Sequence, residues 1–180
     1  MIMAIDPSYT NSGVCIYTNG KYITTSFSSY STKKVAGKGS RQKTIKYKDN
    51  YKFYQNIKHL CKKYGIKYVC FCIPQGASTK TQMVLSELSG VIRLVSQELD
   101  IELLCDAGEN TIKCRVFPNI TQYDDKLFDM IPQDLKHTKR DSVLFYLSNF
   151  GELPSNDDIS DAFFVCKYYE SELRKAGKIC

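Results

Sequence analysis

Met1-Ile2-Met3-Ala4-Ile5-Asp6-Pro7-Ser8 opens the chain with an apolar run that stops on an acid and a turn signal. A short uninterrupted apolar run bounded by proline reads as a buried strand, so Asp6 stands at a strand tip. Gly13-Val14-Cys15-Ile16-Tyr17 reads as a second strand, and Asn19-Gly20 offers the tight turn that returns it as a third, Lys21-Tyr22-Ile23-Thr24-Thr25. Far along the chain, Asn156-Asp157-Asp158-Ile159-Ser160-Asp161 leads into Ala162-Phe163-Phe164-Val165-Cys166, a run apolar enough to require packing as a helix. Asp158 and Asp161 are three apart and share a helix face. If that face meets the strand tip, Asp6, Asp158 and Asp161 converge. Like-charge repulsion makes such a cluster costly unless a divalent cation sits among the carboxylates.

The middle of the chain supplies the rest of an α/β domain. Tyr51, Tyr54, Ile57, Leu60 and Cys61 recur at helical spacing between Asp49 and Tyr64, and Gly65 ends the run. Lys67 to Ile73 reads as a buried strand, Thr79 to Leu99 as a second amphipathic helix, and Ile101 to Asp106 as a fifth strand. A strand on each side of a helix implies a crossover and a partly parallel sheet. Ala107 to Leu135 reads as mostly irregular, with a short helix around Ile112 to Val116. Val143, Leu144, Tyr146 and Leu147 give a helix from Lys139 that Gly151 and Pro154 stop, and the closing helix runs from about Asp158 to Lys175. The expected architecture is a mixed five-stranded sheet flanked by helices, in a single domain over residues 1–180, without repeat or linker.

Twenty-five Lys and Arg against nineteen Asp and Glu give a net charge of +6, which favours a polyanionic partner. Seven of the basic residues (Lys33, Lys34, Lys38, Arg41, Lys43, Lys46, Lys48) fall between positions 33 and 48 without an acid. With Gly37 and Gly39 among them, the segment reads as a basic loop, suited to a phosphate backbone or simply solvated. Tyr47, Tyr51 and Tyr54 follow, as base-stacking candidates or as core. Ser78, Thr79 and Lys80 open the second long helix, whose N-terminal amides suit a phosphate. Lys136, Lys139 and Arg140 open the helix before the last. The eight cysteines lie mostly inside apolar runs, no Cys-x-x-Cys occurs, and His59 and His137 are the only imidazoles. Structural zinc and a disulfide framework are therefore disfavoured, and free thiols suggest a reducing compartment. Without a signal-type or membrane-length apolar run, the expectation is a soluble intracellular protein.

Asp6-Pro7-Ser8 with Gly13, and Asp158-Ile159-Ser160-Asp161-Ala162, resemble the opening and closing motifs of RuvC-type Holliday-junction resolvases, in the RNase H-like superfamily. Ile73-Pro74-Gln75-Gly76-Ala77-Ser78, followed by Gly90-Val91-Ile92, is similar to a segment of phage and viral members. The resemblance implies an RNase H-like fold and two Mg²⁺ ions, with Mn²⁺ as a substitute. Asp6, Asp158 and Asp161 are then metal ligands and catalytic residues, and Asp157 is a spare acid one residue out of register. It implies basic residues near the scissile phosphate at Lys136, Lys139 and Arg140. It further implies a homodimer, meeting around Met83 and Val84, that cleaves Holliday junctions or other branched DNA, with RNA an alternative substrate. For a viral member the compartment is the host cytoplasm.

The family's fourth-strand Glu falls on Cys72. A thiolate is a soft ligand poorly matched to Mg²⁺, so either three acids suffice, another acid such as Asp106 substitutes, or the chain binds nucleic acid on this fold without cleaving it. Each acid also has an ordinary reading: Asp6-Pro7 as a strand-ending turn, Asp157 or Asp158 as a helix cap. An actin-like ATPase shares the opening strand and hairpin, but it needs two such domains, more than 180 residues supply.

Overall fold

β1 (Ile2–Asp6) forms the centre of the molecule because its side chains are buried on both faces. It pairs antiparallel with β2 (Asn11–Thr18), and β2 pairs antiparallel with β3 (Lys21–Ser28). The turn between them has Asn19 and Gly20 both at positive φ (49° and 75°), the conformation a two-residue hairpin requires. The computed structural model describes residues 1–8, 10–36, 42–72, 78–116, 125–135 and 137–179.

A small separate sheet follows, made of β4 (Tyr30–Ala36) and β5 (Gln42–Lys48), paired antiparallel from Tyr30 opposite Lys48 to Ala36 opposite Gln42. This corrects the expectation of a loop. Lysine and glycine are depleted in buried strands, but a two-stranded ribbon has only edges, where lysines are favoured. Lys33 and Lys34 are exposed on β4, Lys43 and Lys46 fall on β5, and Lys38 and Arg41 lie outside the described residues. Asp49 anchors the root of the ribbon by accepting from Ser31 Oγ (2.6 Å), and its other oxygen caps the next helix at Lys52 N (2.9 Å).

That helix is α1 (Asn50–Tyr64), ended by Gly65 in the left-handed conformation. It leads to β6 (Tyr68–Cys70), which pairs parallel with β1, then α2 (Thr79–Glu98) and β7 (Glu102–Leu104), parallel to β6. The sheet order β3-β2-β1-β6-β7 is the mixed five-stranded arrangement expected. The short helix expected around Ile112 to Val116 is α3 (Glu109–Val116), and the rest of that interval also contains α4 (Asp125–Asp129), which corrects the expectation of irregular chain there, before α5 (His137–Phe150) and α6 (Asp157–Lys175).

Alternation along the strands divides the core in two. Met3, Ile5, Val14, Ile16 and Val69 pack with Phe53, Ile57, Leu88, Ile92 and Val95 of α1 and α2. Ile2, Ala4, Cys15, Tyr17 and Cys70 face the other way, against Phe163, Phe164 and Cys166 of α6 and Tyr146 of α5. Phe163 is fully buried and meets the rings of Tyr22, Phe145, Tyr146 and Phe150. Burying one such side chain contributes about 1.5–3 kcal/mol. By the same alternation Asp6, two residues after Ala4, belongs to the α6 face. All seven described cysteines are free thiols. No described helix is long and apolar enough to cross a membrane.

Candidate functional site

Asp6 and the first turn of α6 meet through a glycine. Asp6 is registered opposite Gly13 on β2, and a Cβ built on Gly13 would overlap the Asp158 carbonyl and stand 2.7 Å from Ile159 N. Only a residue without a side chain lets α6 settle onto the sheet beside Asp6. The helix cap is Asn156, whose side-chain oxygen accepts from Ile159 N (3.1 Å) while its amide donates to Ser26 Oγ (3.1 Å). Neither Asp157 nor Asp158 is therefore needed as the cap.

The acids gather around one ammonium. Lys139 Nζ, brought in on α5, pairs with Asp161 and lies 3.5 Å from Asp157. Burial alone would lower the Lys139 pKa, but Asp161, Asp6 and Asp157 more than reverse this and raise it. Asp158 has the opposite fortune. Burial and its neighbours Asp157 and Asp161 push its carboxyl up to about 6, against the pull of Lys139 and a hydrogen bond from the Ser8 side chain. Ser8 is itself held at the turn: its N–H donates to Ser12 Oγ (3.2 Å) and its carbonyl accepts from Ser29 Oγ (3.4 Å).

Small residues also fix α5 against α6 here. Ser142 and Ser160 are fully buried with their hydroxyls 3.4 Å apart, and they bond back to the carbonyls of Lys139 and Asp157 respectively. The positions of Lys139 and Asp157 are thus set by the helix crossing itself. Arg140, next in sequence, turns away and donates to the Gln133 carbonyl (3.2 Å). Lys136 lies outside the described residues, as do Ile73 to Ala77. Ser78 caps α2, accepting from Thr81 N (3.4 Å), and Lys80 falls in the first turn of that helix.

Cys72 and Asp106 follow the ends of β6 and β7, the parallel strands on the β1 side of the sheet. Ala4 is registered with Cys70 and Cys70 with Leu104, where the parallel pairing ends, and Cys72 and Asp106 each follow two residues later, as Asp6 follows Ala4. The Phe71 N–H still donates to the Leu104 carbonyl (3.3 Å), which carries the register past the strand end. Cys72 packs against the α6-facing core. The Asp106 carboxylate accepts from the Tyr169 hydroxyl (3.0 Å) on α6.

Among the described residues, no three His, Cys, Asp or Glu side chains are posed together for one metal ion. The donors are nonetheless of the type a hard divalent cation takes: Asp6, Asp157 and Asp161 all act on Lys139, Asp157 and Asp161 also act on Asp158, and Asp161 is turned toward Lys139. Sequence reasoning named the acids and Lys139, whose electrostatic coupling the structure describes. It missed Ser8 and the Ser142–Ser160 contact, because nothing local marks a serine as a helix-packing or carboxylate-holding residue.

The fold is RNase H-like α/β, with an antiparallel meander, two parallel strands across β1, and α6 covering the meander. No family model matches the chain, and no curated protein sequence does. Among solved structures it is similar to T. thermophilus RuvC in complex with Holliday junction substrate, with a TM-score of 0.63 and 11% identity over 98% of this chain and 96% of that one. It is also similar to a Thermus thermophilus RuvC structure, with a TM-score of 0.59 and 10% identity over the same shares. At such identities the likeness is one of fold.

Proposed function

We propose that this chain is a structure-selective endonuclease acting on Holliday junctions or related branched DNA, within a single nuclease domain. The observation that carries the reading is the convergence of Asp6 with the α6 acids around Lys139, made possible by Gly13. The RuvC-like fold and the net charge of +6 agree with it. Asp6, Asp158 and Asp161 would hold Mg²⁺ or Mn²⁺, which when bound supplies an activated water and neutralises the leaving oxygen. The protein's own part is positional. Asn156 and Ser8 orient the first turn of α6 and Asp158, and Asp157 helps to hold Lys139. Lys139 lies where it can contact phosphate beside the acids. Lys33 and Lys34 on the ribbon, with Lys43 and Lys46, extend the basic surface, and the amide end of α2 at Ser78 offers a further phosphate contact. Contacts of this kind orient a duplex without reading its sequence.

A four-way junction presents two equivalent strands, so a two-fold homodimer is the matching assembly. Met83 is 62% exposed on α2, an apolar side chain available to such a partner.

One observation favours a second reading, a nucleic-acid-binding protein on this fold with impaired cleavage: a cysteine, Cys72, follows the end of β6, the strand paired with β1, where the resemblance expects a hard oxygen ligand. Asp106, the candidate substitute, is a strand further away and bonded to Tyr169. The test is cleavage of branched and linear duplexes by the purified protein in Mg²⁺ or Mn²⁺, with Asp6→Asn and Cys72→Glu alongside. Junction cleavage lost in Asp6→Asn supports the nuclease. Junction binding without cleavage, with cleavage appearing in Cys72→Glu, supports the second reading. No preference for branched DNA in either binding or cleavage overturns both.

A further inference from the structure

We infer that Lys139 is an exchangeable counter-ion, whose ammonium holds Asp161 in the free protein and moves to a nucleic-acid phosphate on binding, releasing Asp161 to a divalent cation. The inference rests on the metal site proposed above and concerns how that site is loaded. Three observations carry it. Lys139 Nζ already pairs with Asp161 and Asp157, so a metal ion coordinated by Asp161 must compete with an ammonium for the same carboxylate oxygens. Two cations cannot share those oxygens without strong mutual repulsion. The Lys139 side chain is about one-quarter exposed, so its head can reach solvent by rotation of its flexible stem while α5 stays locked to α6 through Ser142 and Ser160. Arg140 is committed to the Gln133 carbonyl, leaving Lys139 as the residue of this pair that faces the acids.

The consequence is positive coupling: DNA draws the ammonium away and the metal binds more tightly, and by linkage the metal tightens DNA binding equally. A free protein would then carry a partly self-neutralised site that completes itself on its substrate. Lys139 is in this account a positioning residue.

The test is equilibrium Mn²⁺ binding, read by electron paramagnetic resonance of the free ion, to the full chain. It is run with and without a phosphorothioate four-way junction, and Mn²⁺ taken up by the DNA alone is subtracted. The wild-type protein should bind Mn²⁺ more tightly with DNA, by a factor in the range of about 5–150 usual for coupled sites. Lys139→Met and Lys139→Gln should bind Mn²⁺ more tightly than wild type without DNA, and DNA should then add little. The glutamine variant keeps a hydrogen-bond donor beside Asp161, so a folded protein is available even if methionine there disrupts packing. Thermal unfolding confirms folding of each. Variants that bind Mn²⁺ no better than wild type, or keep its full response to DNA, overturn the exchange while leaving the metal site standing. An absence of Mn²⁺ binding by every protein overturns the exchange and the metal site together.

Discussion

Helix α6 carries a charged cluster at each end, and the two are built oppositely. Toward its C-terminus, Glu170 accepts from the Tyr22 hydroxyl and from Arg174 Nε (2.9 Å), with Lys167 Nζ 3.5 Å away. Burial would raise its pKa, but the hydrogen bonds from Tyr22 and Arg174 and the two cations outweigh it, and the carboxyl is held below its ordinary value. Toward the N-terminus, Asp6, Asp157, Asp158 and Asp161 share Lys139, and the Asp158 carboxyl is pushed up to about 6. One acid with an excess of donors is a fastening between helix and sheet. Several acids sharing one ammonium among the described residues are costly to fold, which is the pattern of a group arranged for function rather than for stability.

Breaking the N-terminal cluster should have the largest effect. Asp6→Asn and Asp161→Asn should lower junction cleavage by roughly a thousandfold, about 4 kcal/mol of transition-state stabilisation, while urea unfolding in a chelator shows stability unchanged or improved. Gly13→Ala acts on the support of the same cluster. Its new Cβ meets backbone of α6 that cannot step aside, and overpacking of this kind costs about 1–3 kcal/mol or more. The urea midpoint should fall accordingly, and a neutral result would mean that α6 does not sit so close to Asp6. At the other end, Glu170→Gln should cost about 1–3 kcal/mol through the hydrogen bonds it weakens, with cleavage per folded molecule within a few-fold of wild type.

The smallest effect is a pH dependence. The folded pKa of Asp158 lies above its ordinary value, so the folded state takes up the proton more readily than the unfolded chain. The resulting contribution is favourable below about pH 4 and is lost as the pH rises through about 6. Melting curves in a chelator should therefore show Asp158→Asn more stable than wild type above pH 6 and equal to it near pH 4. A variant less stable at every pH would mean that Asp158 is a structural partner like Glu170.

The same contrast explains what the sequence disclosed. The apolar runs of β1 and β2 and the helical spacing in α1, α2 and α6 are local signals, and these elements lie close to their expected limits. The acids were legible because strand tip and helix face follow from local spacing. The β4–β5 ribbon was not, because a lysine-rich hairpin exposed to solvent lacks the buried alternation by which strands are recognised. In the segment before α5 only α3 was expected, and from Ile112 rather than Glu109, whereas the five residues of α4 leave too little periodicity to read. At the site, Lys139 was visible as a basic residue, but its place among the acids depends on how α5 crosses α6. In the Glu170 cluster Lys167 and Arg174 stand at helical spacing, but the link from Tyr22 on β3, 148 residues away, had no local signal.

The central claim is that the acids at one end of α6 share Lys139 and take a divalent cation, whereas Glu170 at the other end does not, and a divalent-ion thermal shift measures it directly. Unfolding of the wild type, Asp6→Asn, Asp161→Asn and Glu170→Gln is followed with increasing Mn²⁺. Binding to the native state alone at about a hundred times Kd adds about 2.7 kcal/mol. Wild type and Glu170→Gln should gain equally, whereas Asp6→Asn and Asp161→Asn should gain little. A full Mn²⁺ shift retained by both aspartate variants would contradict the account.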